Sequence, residues 1–315
     1  VGDHLDAIIG QDTAKRFVRT AIKKDNLYNV LLTGPRGVGK RIFAFALANM
    51  LGCPPQSSNF MLVAPIPSTI KDKEEKIYDL LQTYLPDNTV IDLEDRSTIL
   101  IAQVREVIQR LVHLPSLGTK RVIIILEADR MNDEAANCFL KTLEEPPMDT
   151  VFILTSSRPD HLLPTIRSRC RRVPFSYLSR QQIQEIILDS DDPYLLGSPG
   201  ELMLLEQTDT MNAACAIIAQ CPLSVKAAAT IAKEYRKRSL IDLLYPLMLL
   251  YRRTLYLKLA LVNDSNNTRI LNEKAKKIPC PTILNVLQTL NDHILLLEYN
   301  PNHFLLLMRI LLQLP

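Results

Sequence analysis

The sequence has no strong excess of either charge: 37 Lys and Arg against 34 Asp and Glu leave a formal +3 over 315 residues. That excludes a supercharged arm able to bind nucleic acid unaided, so any DNA contact must come from a local patch or from partners. Paired cysteines are also lacking. Cys53, Cys138, Cys170, Cys215, Cys221 and Cys280 are scattered, with no C-x-x-C spacing and no apolar leader before them, the pattern of reduced cytosolic thiols. Nor is there an apolar run long enough to span a membrane. The leucine-rich stretch from Leu295 to Leu314 is broken by Glu298, Asn300, Pro301, Asn302, His303 and Arg309, and reads as a buried core helix.

What is present is Leu31-Leu32-Thr33-Gly34-Pro35-Arg36-Gly37-Val38-Gly39-Lys40-Arg41, a buried strand turning through glycines into a helix over 40–50. The spacing G-x-x-x-x-G-K is that of a phosphate-binding loop. Backbone N–H groups of Gly34, Gly37, Val38 and Gly39 would surround a polyphosphate at the positive end of the helix, with Lys40 reaching the outer phosphates. Arg41 breaks the pattern. It stands where a Ser or Thr hydroxyl should ligate magnesium, and a guanidinium has no lone pair to offer.

Along the chain, Ile8-Ile9-Gly10-Gln11 leads into a helix over 13–24, and reads equally as lining for an adenine pocket or as a helix packing on the sheet. A short strand is expected at Phe60-Met61-Leu62-Val63, a surface insertion over 73–98, a helix over 99–112 and a turn at Pro115 to Gly118. Val122-Ile123-Ile124-Ile125-Leu126 and Val151-Phe152-Ile153-Leu154-Thr155 are β-branched runs fit for strands covered on both faces, with a helix over 133–144 between them. The alternation gives an α/β parallel sheet with ligands expected at the carboxyl ends of its strands. After Leu178 only helices are expected, over 179–190, 199–208, 212–219, 224–236, 240–262, 281–297 and 302–313.

The second magnesium ligand of such a site, an aspartate closing the strand, is Leu126 here. Glu127, which would orient water, reads either as a base or as a relic capping the next helix; Asp129 and Asp133 read as first-turn acids favoured by the helix dipole. Further on stands Ser168-Arg169-Cys170. On composition Arg169 is a solvated arginine in the run Arg167, Arg169, Arg171, Arg172, or else a cation turned towards a neighbour's nucleotide, where it can raise hydrolysis by about 10³ to 10⁵-fold.

Asp129-Arg130-Met131-Asn132, Leu140-Lys141-Thr142-Leu143-Glu144-Glu145-Pro146-Pro147, Leu162-Leu163-Pro164-Thr165-Ile166 and Ser168-Arg169-Cys170 together resemble the clamp-loader branch of the AAA+ proteins. The resemblance implies an AAA+ P-loop domain over 1–174, a small helical lid over 175–222 and an all-helical collar over 223–315 that joins subunits. Working ATPases of the branch keep the loop hydroxyl, the strand aspartate and a lid arginine in a G-S-x-R context; this sequence has Arg41, Leu126 and Gly200, the last in Gly197-Ser198-Pro199-Gly200. It therefore resembles a non-hydrolysing member of a hetero-pentameric ring, with motor ATPase subunits, a delta-type wrench, a sliding clamp and primer-template DNA as partners. Ser168 and Arg169 would supply the trans arginine finger. No cofactor is required on this reading, with weak ATP or ADP binding left open, and the bacterial cytoplasm is the expected location. The four-cysteine zinc module common in relatives is not expected, since only Cys53 lies between Gly52 and Ser97. Two other readings are an active AAA+ ATPase with atypical metal ligands and a helical scaffold outside replication.

Overall fold

A computed structural model describes residues 4–67, 74–86, 97–112, 119–186, 198–200, 203, 210–235, 240–260, 269–297 and 301–315. Contacts divide the chain into two units, 1–203 and 204–315. The first contains α1 (Asp12–Lys23), β1 (Asn29–Thr33), α2 (Lys40–Met50), β2 (Phe60–Val63), α3 (Glu74–Thr83) and α4 (Ile101–Leu111). It continues through β3 (Arg121–Ile125), α5 (Asp133–Glu144), β4 (Thr150–Ser156), α6 (Pro164–Arg169), β5 (Arg171–Pro174) and α7 (Arg180–Ile186).

The five strands form one parallel sheet in the order β2-β3-β4-β1-β5. Every residue of β1, β3 and β4 is buried, as a sheet clothed on both faces demands. Alternation along the strands sorts two cores. Val30, Leu32, Ile124 and Ile153 pack with Val18 of α1 and Phe43 and Leu47 of α2, while Leu31, Ile123 and Phe152 pack with Val104 of α4 and Phe139 of α5. The Phe139 and Phe152 rings meet edge to face at 5.2 Å. Asn132 starts α5, its side-chain oxygen accepting the Ala135 N–H at 2.9 Å.

The sheet departs from the sequence reading at β5, an unforeseen edge strand. Of Arg171-Arg172-Val173-Pro174 only Val173 is buried, so the segment has no apolar run to announce it, and the proline is tolerated because the strand is an edge. The expected surface insertion is also corrected in part. Tyr84, just past α3, is buried and donates its hydroxyl to the Pro65 carbonyl at 2.9 Å, and Leu80, Leu81 and Leu85 pack on the core. The turn at Pro115 to Gly118, most of the helix expected over 199–208, and Gly197 lie outside the described residues.

The second unit contains α8 (Thr210–Gln220), α9 (Val225–Glu234), α10 (Ile241–Lys258), α11 (Arg269–Lys277), α12 (Cys280–Leu296) and α13 (His303–Leu311). Helix α10 packs against α8, α11 and α12, and α9 against α13. Leu243, Leu244, Leu247 and Tyr251 form the middle of their core. Among the described residues, 210–220 group with the helices that follow. Helix α11 was not foreseen, because Arg269 to Lys277 is dominated by charge and buries only Leu271 and Ala275. The leucine-rich end falls in the two helices expected over 281–297 and 302–313, and Asn302 caps the second, accepting the Leu305 N–H at 3.2 Å. No helix among the described residues is long and apolar enough to cross a membrane.

Candidate functional site

The phosphate loop sits where β1 ends and α2 begins, at the carboxyl edge of the sheet. Gly34 has φ 151 and a Cβ there would lie 2.3 Å from the Phe175 carbonyl oxygen, so the close approach of the chain after β5 admits only glycine. Gly37 at φ 71 and Gly39 at φ 94 occupy left-handed backbone that side chains disfavour. Lys40 is 5% exposed. Its ammonium donates to Gly34 O at 2.7 Å, Pro35 O at 2.6 Å and Ser157 Oγ at 3.0 Å.

Ser198 and Gly200 lie against the loop. The Gly200 N–H donates to Gly37 O at 3.0 Å and Ser198 Oγ donates to Arg36 O at 2.7 Å. A Cβ at Gly200 would stand 2.9 Å from Gly37 Cα. The backbone here is so close that a side chain at 200 needs the loop to move. Val38 contributes its carbonyl to a clasp: Gln11 Nε2 donates to Val38 O at 3.3 Å and to Ser176 O at 2.8 Å, while its Oε1 accepts from Ser176 N at 3.2 Å. Gln11 thereby ties α1, the loop and the segment after β5 together.

The residues present do not fit a magnesium ion. Arg41 turns out of the loop and donates to Tyr84 O at 3.1 Å and Leu85 O at 3.3 Å, closing the end of α3, and burial pulls its pKa below the usual guanidinium range. Leu126 is 3% exposed within the apolar core. Glu127 has left-handed backbone, φ 45, and donates its N–H to Thr155 Oγ1 at 2.9 Å. Asp129 has a side chain only 1% exposed and is paired to Arg158 Nε at 3.3 Å. Burial, and then repulsion from Arg158 and Arg36, pull the pKa of Arg130 down, with Glu127 and Asp129 opposing. No group of three or more His, Cys, Asp or Glu able to hold a metal occurs among the described residues.

Ser168 and Arg169 end α6, which begins with Pro164 and buries Ile166. Ser168 Oγ donates to Thr165 O at 3.0 Å. Arg169 Nη1 donates to Thr165 O at 2.9 Å and Nη2 is ion-paired with Glu144 Oε1. Asn29 Nδ2 donates to Leu143 O at 2.8 Å and to Arg169 O at 3.1 Å. Asn29 opens β1 and Gly34 follows its last residue, roughly 16 Å further on at about 3.3 Å per residue. Arg169 and the loop therefore occupy opposite edges of the sheet. The other arginines of the run have separate partners: Arg167 pairs with Asp160 at 2.8 Å, Arg171 lies 5.6 Å from the Phe17 ring centroid and Arg172 donates to Thr33 Oγ1 at 3.0 Å.

The family model described as DNA polymerase III, delta subunit, matches residues 10–179. The chain belongs to the DNA polymerase III delta subunit family. It is 37% identical over 141 residues to the delta-prime subunit of Pseudomonas aeruginosa, covering 44% of this chain and 40% of that protein. Against the Escherichia coli delta-prime subunit it is 35% identical over 135 residues, 40% of each. The chain thus spans about two fifths of the length of these delta-prime relatives, and the clamp-loader resemblance of the motifs agrees with them. A crystal structure of a DNA polymerase III gamma subunit-related protein from Thermotoga maritima covers 95% of this chain and 97% of that one at 19% identity, with a TM-score of 0.44, too low to carry an argument.

Within this DNA polymerase III family frame, sequence reasoning missed three residues at the two sites. Gln11 carried an ambiguous signal as part of Ile8-Ile9-Gly10-Gln11. Arg158 had none, being an ordinary loop residue until the fold brings it to Asp129, whereas Ser157 lies in the segment 155–157 that the end of its strand already puts beside the loop, where Lys40 reaches it. Glu144 lay inside a quoted motif, yet nothing in its spacing announced a partner 25 positions away.

Proposed function

We infer that this chain is a stator-like subunit of the DNA polymerase III clamp loader, turning over no ATP itself and giving Arg169 to the nucleotide of an adjoining motor subunit. The observation carrying this reading is the placement of Arg169 at the amino edge of the sheet, roughly five strand residues from its own phosphate loop. A cation there is out of reach of the Gly34 to Lys40 cradle and in reach of a neighbour packed below. The donor set of the cradle supports the first half of the reading: Leu126 and Arg41 offer magnesium nothing, and the Lys40 protons are spent on loop carbonyls and Ser157. Nucleotide binding is then weak at most, and zinc has no role. The partners are motor ATPase subunits and a delta-type subunit in a five-membered ring, acting on sliding clamp and primed DNA in the bacterial cytoplasm.

The test has two arms. Purified chain with MgATP should show no turnover, whereas rates near about 1 s⁻¹ or above would make it a motor. Assembled with its motor partners, an Arg169→Ala chain should form the ring and stall it; undiminished clamp loading would refute the trans role.

A further inference from the structure

The Arg169 guanidinium is committed within its own chain. Nη2 is paired with Glu144, and Nη1 donates to Thr165 O at 2.9 Å and towards Ser168 Oγ at 3.4 Å. Glu144 is the last residue of α5 and Arg169 the last of α6. A carboxylate at a helix C-terminus opposes the helix dipole, whereas an arginine there is favoured. Glu144 therefore does nothing for α5 alone; its charge is compensated by the arginine across from it. Both side chains are partly open to solvent, at 32% and 46% exposure, so the pair is weak enough to exchange.

We propose that Glu144 is a positioning residue that parks Arg169 in the free subunit and yields it only to a stronger anion, the phosphate oxygens of a neighbour's nucleotide. This rests on the trans reading of Arg169 above. The carboxylate and the phosphate compete for the same Nη2 edge, so parking lowers the fraction of rings whose arginine is available and raises the apparent nucleotide requirement by the inverse of that fraction. Once the phosphate has won, the parked state no longer matters.

The experiment uses the full chain assembled with its motor partners, with MgATP as probe, comparing wild type, Glu144→Gln, Glu144→Ala and Arg169→Ala. Both Glu144 variants should lower the KM for ATP by roughly two- to fivefold, the range expected for losing an exposed ion pair, at unchanged kcat. Arg169→Ala should abolish turnover at the adjoining motor site. If it does and KM is unmoved by the Glu144 variants, the parking is refuted and the trans role stands. A fall in kcat instead would mean that Glu144 orients the arginine for chemistry, which also overturns the proposal. Retained turnover at that site in Arg169→Ala would refute the trans role itself. An independent readout is the free chain's Arg169 side-chain nitrogen signals: guanidinium rotation should quicken in Glu144→Gln, and equal rotation in both chains would count against parking.

Discussion

Asn29 and Arg169 are 140 residues apart in sequence and joined by a hydrogen bond of 3.1 Å, from the Asn29 side-chain amide to the Arg169 carbonyl. The same amide holds Leu143 O at 2.8 Å, so one side chain at the start of β1 fastens the ends of both α5 and α6. The position of the arginine is therefore fixed by the sheet rather than by its own short helix.

Asn29→Ala should loosen that fastening. Two carbonyls at helix ends lose their donor in a buried place, and stability is expected to fall by about 1–3 kcal/mol. Urea denaturation measures it. The same variant should blunt ATP turnover of the assembled complex, because the backbone carrying Arg169 is no longer anchored.

Arg169→Ala is expected to leave the fold nearly unchanged, since exposed ion pairs contribute about 0–1 kcal/mol. Turnover at the adjoining motor site should fall by roughly 10³ to 10⁵-fold, the range for loss of a trans arginine, while motor sites served by other subunits keep their own. Arg169→Lys should restore little, because an ammonium lacks the planar fork that grips two oxygens at once. Steady-state ATPase assays on the three complexes check both statements.

Rebuilding the motor residues should not rebuild a motor. Gly200→Arg places a Cβ 2.9 Å from Gly37 Cα, so the loop or the chain at 198–200 must shift before the arginine can reach anything. Leu126→Asp buries a carboxylate in the apolar core at a position 3% exposed, and Arg41→Thr strips the cap from Tyr84 O and Leu85 O. The triple variant is expected to melt lower than the parent and to hydrolyse no ATP, read by thermal unfolding and phosphate release.

Lys40→Ala separates loop architecture from chemistry. Removing a buried cation from Gly34 O, Pro35 O and Ser157 Oγ should lower stability by about 1–3 kcal/mol. On the proposed non-hydrolysing role, clamp loading by the assembled complex below the melting transition should persist. A motor-like collapse of turnover would show that this loop is a working one.

Alkaline pH should weaken the first unit. Burial pushes the Cys170 thiol from an ordinary 9.0 up to about 12. Between those values the unfolded chain loses the proton that the folded chain keeps, so stability is full below about pH 9 and declines as pH rises towards 12. Denaturation series across that window test it, with Cys170→Ala showing a shallower decline. In the native state the thiol should resist alkylation at pH 8, which mass spectrometry reads directly.

Much of this was legible from residues alone. The glycine spacing at 34, 37 and 39 with Lys40 announced the loop, because a tight turn into a helix tolerates few other residues. The β-branched runs at 122–126 and 151–155 announced strands covered on both faces. Helix α5 begins and ends where its first-turn acids and Pro146-Pro147 indicated. Edge strand β5 and charged helix α11 were hidden for one reason: each buries too few side chains to leave a periodic trace.

The sequence by itself determined the identity of every group able to do chemistry here: it removed the hydroxyl at 41 and the carboxylate at 126, and it placed an arginine at 169. These are local facts, settled by residue type and spacing. The fold alone decided what those groups face. It laid Gly200 on Gly37, turned Arg41 towards α3, brought Ser157 to Lys40 and set Glu144 against Arg169. Such meetings depend on the packing of elements far apart along the chain, which apolar burial and backbone hydrogen bonding drive more strongly than these polar pairs do.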